Sequence, residues 1–298
     1  MTGEGERTGP HGAATRNVVA DNELQKRVRD YYDTTQRLYS RIWSPEALHY
    51  GLWYPGTKTR REMLRNTDRR IARELGLRMG SRILDAGCGI GGTSLYLAEQ
   101  LHHEVVGVTL STVQLQQARR RAAASRAPIM PRFERRDFAD TGFADGSFDG
   151  VFAIESVCHA GDKRAFLREA HRLLRPGGRL VLADGFLAGE PSGRDLVDYR
   201  TFVDGLAIND LEPIERFRES VLREGFVELA EFDMRDNILA AARSIERLSR
   251  IGVAVCRLPC RLGIFPREWL AHGLAGTVQR RLFVEGTLRY RILSATKP

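Results

Sequence analysis

The chain has 298 residues, 42% of them hydrophobic, enough to bury one sizeable core and leave material for a cap or a small second lobe. No apolar run approaches the ~20 residues of a membrane-spanning helix, the first twenty residues lack the apolar centre of a secretion signal, and four scattered cysteines exclude a disulfide framework. The formal charge of +8 rests on 46 basic residues, only four of them lysine, and the arginines are spread throughout rather than gathered into a stripe. This argues against a nucleic-acid partner and leaves an anionic small substrate as the functional alternative. These properties give the expectation of a cytoplasmic globular protein without a structural metal, since Cys256 and Cys260, interrupted by Pro259, lack a second ligand pair for zinc.

Residues 1–20 read as a disordered Gly/Thr-rich tail, and 21–75 as an N-terminal helical cap. Within the cap, Leu24, Val28, Tyr31, Tyr32, Thr35, Leu38, Tyr39 and Ile42 share one helical stripe, followed by a looser segment from Ser44 to Thr57. Residues 76–186 alternate strand and helix. Apolar runs at 81–88, 104–111, 131–137, 149–156 and 179–186 are strands, and helices carry Leu97 and Leu101, then Leu115, Ala118 and Ala122, then Phe166, Leu167, Ala170, Leu173 and Leu174. Pro176-Gly177-Gly178 stops the last of these helices.

Residues 187–298 read as lid insertions around the remaining core strands. An irregular stretch spans 187–212, and a helix starts near Pro213, turns Ile214, Phe217 and Val221 inward and ends at Gly225. Two strands at 226–235 and 288–298 enclose a helical insertion of about fifty residues. The fold class is therefore α/β: a Rossmann-like, doubly wound, seven-stranded, mostly parallel sheet with helices on both faces and a helical lid.

"DAGCGIGG" closes the first strand, with Gly87, Gly89 and Gly92 in G-x-G-x-x-G spacing. Such a turn lets the backbone approach a ligand, and the helix start behind it favours an anion. A dinucleotide site also expects an acid about 20 positions on, to hold ribose hydroxyls, and here that place holds Thr109. Asp85 instead precedes the first glycine by two residues.

Four ordered features, "ILDAGCGIGG", "GVTLS" with Gln114, "RRDF" with Asp137, and "FADGSFDGVFAIES" leading to "LLRPGGRLVLAD", resemble a class I S-adenosylmethionine-dependent methyltransferase. The resemblance implies that Asp85 and the Gly87-Cys88-Gly89 backbone surround the methionine moiety. Thr109, Leu110 and Gln114 would then lie along ribose and adenine, and Asp137 would accept from the adenine amino group with Phe138 beside it. Thr109 departs from the acid of most branches but is similar to the "GxTLS" of tocopherol methyltransferases and cyclopropane fatty-acid synthases.

"YYDTTQRLYSRIWSPEALHYGLW" and "IESVCHA" resemble segments of sterol C24-methyltransferases. That likeness implies an aromatic wall of Tyr31, Tyr39, Trp43, His49, Tyr50 and Trp53 on the substrate side and Tyr32 on the cofactor, with Tyr32, His49 and Trp53 closing over it.

The chemistry separates two residues. Methylation of an isoprenoid or terpenoid alkene leaves a carbocation that must lose a proton, and Glu155, at the carboxyl end of the fourth strand beside the cofactor, is placed as that base. Methylation of a phenol or alcohol needs a base during attack, for which His159 is suited. The expected function is C-methylation of an isoprenoid, a prenyl diphosphate with Mg²⁺ among the acceptors, and the main alternative is O-methylation of a polyketide or phenol. RNA methylation and a cyclase on the same scaffold are weaker readings. The expected partner is a small molecule, with no nucleic acid and no membrane span; the oligomeric state stays open, a homodimer included.

Overall fold

The structure is a computed structural model that describes residues 23–36 and 44–298. The tail at 1–20, and Tyr39 and Trp43, lie outside the described residues.

A first helix, α1, covers residues 23–36. Helix α2 (Arg60–Leu75) begins with a reciprocal cap between Thr59 and Glu62 and ends at left-handed Gly76. Counted with the cap in the sequence reading, α2 in fact covers the sheet, burying Ile71 and Leu75 against Ile83, Val105 and Leu97.

The core runs β1 (Arg82–Ala86), α3 (Gly92–Leu101), β2 (Glu104–Thr109), α4 (Thr112–Ala123), β3 (Arg132–Arg135), β4 (Phe148–Ile154), α5 (Lys163–Leu173) and β5 (Leu174–Leu187). It continues with α6 (Gly193–Gly205), α7 (Ile214–Arg223), β6 (Val227–Asp233), α8 (Arg235–Arg261), α9 (Arg267–Glu285) and β7 (Leu288–Thr296). The seven strands lie in the order β3-β2-β1-β4-β5-β7-β6. β7 runs antiparallel to both neighbours, and the other pairs are parallel.

The central strands read as continuous apolar runs because both faces are covered. On one face Ile83, Val105, Phe152 and Val181 pack with residues of α2, α3, α6, α8 and α9. On the other, Leu84, Val106, Val151 and Leu180 pack with Phe166 and Leu167 of α5 and Phe217 and Val221 of α7.

Two sequence expectations change. The stretch 187–212 is not irregular: it holds α6, whose Tyr199, Phe202 and Val203 are buried while Asp195 and Asp198 bind Arg281 of α9. The Pro176-Gly177-Gly178 stop lies inside β5, which pairs Leu174 with Phe148, bulges, and resumes at Arg179 opposite Gly150.

Helices α6, α8 and α9 form the lid. Gly205 permits a close contact between α6 and α9, since a Cβ there would stand 2.3 Å from the carbonyl oxygen of Ala271. One end of the lid thereby meets the carboxyl ends of β1, β2, β4 and β5, where ligands of open α/β sheets bind.

Candidate active site

Between the carboxyl ends of these strands, α1 and the lid lies a cavity of about 350 Å³. It is bordered by Asp85 and Gly87 of the β1 turn, Thr109 after β2, Asp137 after β3, Glu155 after β4, and Asp184 of β5. The turns interlock. Gly87 has φ of 100° and leaves the space that Ser156 fills: a Cβ on Gly87 would come within 2.3 Å of the Ser156 Cβ, while the Ser156 hydroxyl donates to the Ala86 carbonyl at 2.6 Å.

Glu155 sits at φ 49°, a left-handed conformation unusual for a side-chain-bearing residue and typical of functional turns. Its Oε1 accepts from the Tyr50 backbone N–H at 2.8 Å and from the Tyr290 hydroxyl at 2.7 Å. Burial pushes the Glu155 carboxyl up to about 8, against the pull of those two hydrogen bonds. Asp184 is also buried, and its carboxyl rises to about 6 although the Gly185 and Cys158 N–H groups donate to it.

His159 stands on the short 3₁₀ turn after β4. Its Nδ1 is 3.2 Å from the Ala207 carbonyl oxygen, which can only accept, so Nδ1 carries the proton. Burial pushes the imidazole down to about 4 and keeps it neutral at pH 7. The Nε2 lone pair is therefore an acceptor at the cavity, 2.9 Å from the Tyr32 hydroxyl, which donates to it. The adjacent Tyr31 lies 2.8 Å from Nδ1 of His272 on α9, another neutral imidazole that burial lowers to about 4.

Around the glycine turn, Asp85 accepts from the Ser94 hydroxyl at 2.6 Å, and burial raises its carboxyl to about 7. His49 donates from Nδ1 to the Tyr50 carbonyl at 2.7 Å, and its buried Nε2 has no hydrogen-bond partner among the described residues. Gly89, at φ 51°, faces open space. A buried carboxylate, an unpartnered acceptor nitrogen and a turn open to the cavity fit a ligand carrying an ammonium group.

A methyltransferase domain family matches residues 84–182. The O-methyltransferase cnsE of Penicillium expansum is 33% identical over 67% of this chain and 72% of its own length. The chain belongs to the S-adenosylmethionine-dependent methyltransferase family. Among further relatives of this methyltransferase, the 27-O-demethylrifamycin SV methyltransferase of Amycolatopsis mediterranei is 37% identical over 54% of the chain, which spans 59% of that protein. The sterol 24-C-methyltransferase of Schizosaccharomyces pombe is 28% identical over 70% of the chain and 56% of its own length. The cyclopropane synthase MmaA2 from Mycobacterium tuberculosis has the same fold, with a TM-score of 0.79 at 19% identity over 92% of this chain and 98% of that one.

Most residues singled out in the methyltransferase sequence border the one cavity: Tyr31, Tyr32, His49, Tyr50, Asp85, Gly87, Cys88, Gly89, Thr109, Leu110, Gln114, Asp137, Phe138, Glu155 and His159. Trp53 does not. It is 39% exposed, its indole N–H donates to the Thr57 carbonyl at 3.2 Å, and its backbone pairs with Asn237 at the base of α8. Thr109 and Gln114 bond to each other at 2.9 Å, and Gln114 donates to Gln36 at 3.2 Å. Asp137 receives the Gln25 amide at 2.6 Å. These contacts, with Asp33 receiving the Ser111 hydroxyl, tie α1 to the β2 and β3 ends of the site.

Sequence reasoning missed Asp184, His272, Tyr290 and Gln279, the last a cavity residue whose side-chain oxygen accepts from the Tyr50 hydroxyl. Asp184 ends the apolar run of β5, and the strand-end rule that selected Glu155 would have found it. The other three come from α9 and β7, beyond the long insertion, with no local motif to mark them.

Proposed function

We propose that this methyltransferase transfers a methyl group to a hydroxyl of a lipophilic polyketide or phenolic metabolite, with His159 as the base. The observation that carries this reading is the acceptor Nε2 of His159 at the cavity, met there by the Tyr32 hydroxyl, its tautomer fixed by Ala207 and its ring neutral at pH 7. S-adenosylmethionine supplies an electrophilic sulfonium methyl, so the protein's tasks are alignment, exclusion of water and removal of one proton. Asp85 and the His49 Nε2 would hold the ammonium end, and Thr109, Leu110, Gln114 and Asp137 the nucleoside end. Tyr32, donating to Nε2, marks where an acceptor hydroxyl docks. As the oxygen gains the methyl, its proton passes to Nε2, and the Nδ1–H bond to Ala207 strengthens as the ring becomes cationic. The relative cnsE, an O-methyltransferase by name, and the 27-O-demethylrifamycin SV methyltransferase support the reading.

A second reading, C-methylation of an isoprenoid alkene with Glu155 as base, is favoured by the buried carboxyl itself and by the rings of Tyr50 and Tyr290 beside it. The likeness to a sterol 24-C-methyltransferase supports it. At pH 7 a carboxyl with pKa about 8 is roughly nine-tenths protonated, so only about a tenth of the molecules hold the ionised base this reading needs. The prenyl diphosphate version loses its motivation. The lid arginines Arg243, Arg247, Arg250, Arg257, Arg261 and Arg267 face outward, and the cavity's guanidinium, Arg136, is paired with Glu134 at 2.6 Å.

The test is transfer from methyl-¹³C-labelled cofactor to pools of hydroxylated polyketides, phenols and isoprenoids, with the label located by NMR. A labelled methoxy carbon is expected, and a labelled C-methyl on an isoprenoid product would reverse the order of the two readings.

A further inference from the structure

Helix α8 has three faces. Its inner face, with Ile245, Ser249, Gly252 and Cys256, borders the cavity. Its outer face carries Ile251, Val255, Leu258 and Leu262, spaced i, i+4, i+7 and i+11, on one stripe. These four side chains are 63–65% exposed, and Ile264 at the tip beyond the helix is 67% exposed. Along one side of this stripe run Arg243, Arg247, Arg250, Arg257 and Arg261, all exposed, with Arg267 starting α9.

The charges on this surface are nearly all of one sign. The acidic residues of α8 are Asp236, paired with Arg235, and Glu246, paired with Arg250 and lying 3.6 Å from Arg280. Arg243, Arg247, Arg257, Arg261 and Arg267 form no ion pair among the described residues. A contiguous exposed apolar stripe calls for a partner, and this one must also neutralise a row of guanidinium groups. A second copy of the chain packed symmetrically on the stripe would set arginine rows against each other.

We propose that the outer face of α8 is a docking surface for an anionic lipid bilayer. Ile251, Val255, Leu258 and Leu262 enter the acyl boundary while Arg247, Arg257 and Arg261 meet phosphate headgroups. No helix among the described residues is long and apolar enough to cross a membrane, and α8 carries arginines along its length, so the helix lies along the surface. Because a neighbouring face of the same helix borders the cavity, docking places the lid where a lipophilic acceptor can leave the bilayer and enter the site. The proposal is independent of whether oxygen or carbon receives the methyl.

The test is flotation of the full chain with vesicles of phosphatidylcholine containing roughly a quarter phosphatidylglycerol, against phosphatidylcholine alone, with sedimentation velocity run in parallel. The expected result is binding to the anionic vesicles only, weakened at least about tenfold by Leu258→Ser with Leu262→Ser and about thirtyfold by Arg257→Gln with Arg261→Gln. Circular dichroism and S-adenosylmethionine affinity remain unchanged in both pairs. If the serine pair unfolds, the arginine pair, which removes no buried group, carries the decision. Absence of the wild-type chain from floated anionic vesicles overturns the proposal. So does a dimer that Leu258→Ser with Leu262→Ser dissociates while flotation is unaffected, which would assign the stripe to a second copy.

Discussion

The Tyr32 hydroxyl donates to Nε2 of His159 across 2.9 Å, joining the N-terminal helix to the turn after β4 at the border of the cavity. The imidazole is neutral and directional because Ala207, at φ 54° after α6, turns its carbonyl onto Nδ1. The base is thus held from two helical elements, of which the sequence pattern marks α1 and misses α6.

Tyr32→Phe removes the donor and leaves the ring of Tyr32 in place. With Nε2 freed for substrate but the acceptor's docking position less defined, kcat is expected to fall by about tenfold or less, with the larger effect on the acceptor KM. Steady-state kinetics at saturating S-adenosylmethionine check this. A loss of cofactor affinity with unaltered acceptor KM would place Tyr32 on the cofactor alone.

The pH dependence of kcat/KM for the acceptor, measured at saturating S-adenosylmethionine so that Asp85 titration does not enter, separates the two bases by sign. His159 has its pKa lowered to about 4 and must be neutral to act, so activity is complete above that value and is lost as pH falls through it. Glu155 has its pKa raised to about 8 and would have to be ionised, so activity would climb about fiftyfold between pH 6 and pH 8. A flat profile over that interval is expected.

Asp85 gives a binding signature. In the cavity its carboxyl, raised to about 7 by burial, holds about half a proton at pH 7. An ammonium group beside it favours the ionised form, so binding of S-adenosylmethionine should release protons near pH 7 and none near pH 9. Calorimetry in buffers of different ionisation enthalpy measures the release. Asp85→Asn should abolish it and weaken binding by about one to two orders of magnitude; equal proton release in the variant would remove Asp85 from the cofactor site.

The core and the strand ends were legible because they obey local rules. Apolar runs bounded by turns mark β1 to β5, and Glu155 follows from a strand terminus, Asp85 from the methyltransferase resemblance and His159 from the base that a hydroxyl acceptor needs. The lid was less legible. α6 hides behind Gly193 and a charged outer surface, and its inward residues Tyr199, Phe202 and Val203 have meaning only against α9. Tyr290 reaches Glu155 across 135 residues of chain, a pairing set by β7 inserting beside β5. Trp53, placed at the site by the sterol-methyltransferase likeness, instead closes the local turn with its indole at Thr57 and does not border the cavity.

Lid packing is testable by stability. Gly205→Ala drives a methyl group into the Ala271 backbone, which cannot rotate away. The expected cost is about 1–3 kcal/mol, a fall in Tm of several degrees at roughly 2–4 °C per kcal/mol. Thermal unfolding followed by circular dichroism measures it, and an unchanged Tm would mean that α6 and α9 are free to separate.

The assignment of the proton to His159 is tested most directly by single-turnover methyl transfer in His159→Ala and Glu155→Gln under saturating S-adenosylmethionine and acceptor. Loss of about 10²–10⁴-fold in the His159 variant, with the Glu155 variant within about tenfold of wild type because glutamine still accepts from Tyr50 and Tyr290, is the predicted result. Near-normal turnover in His159→Ala together with a dead Glu155→Gln that still binds cofactor would contradict it.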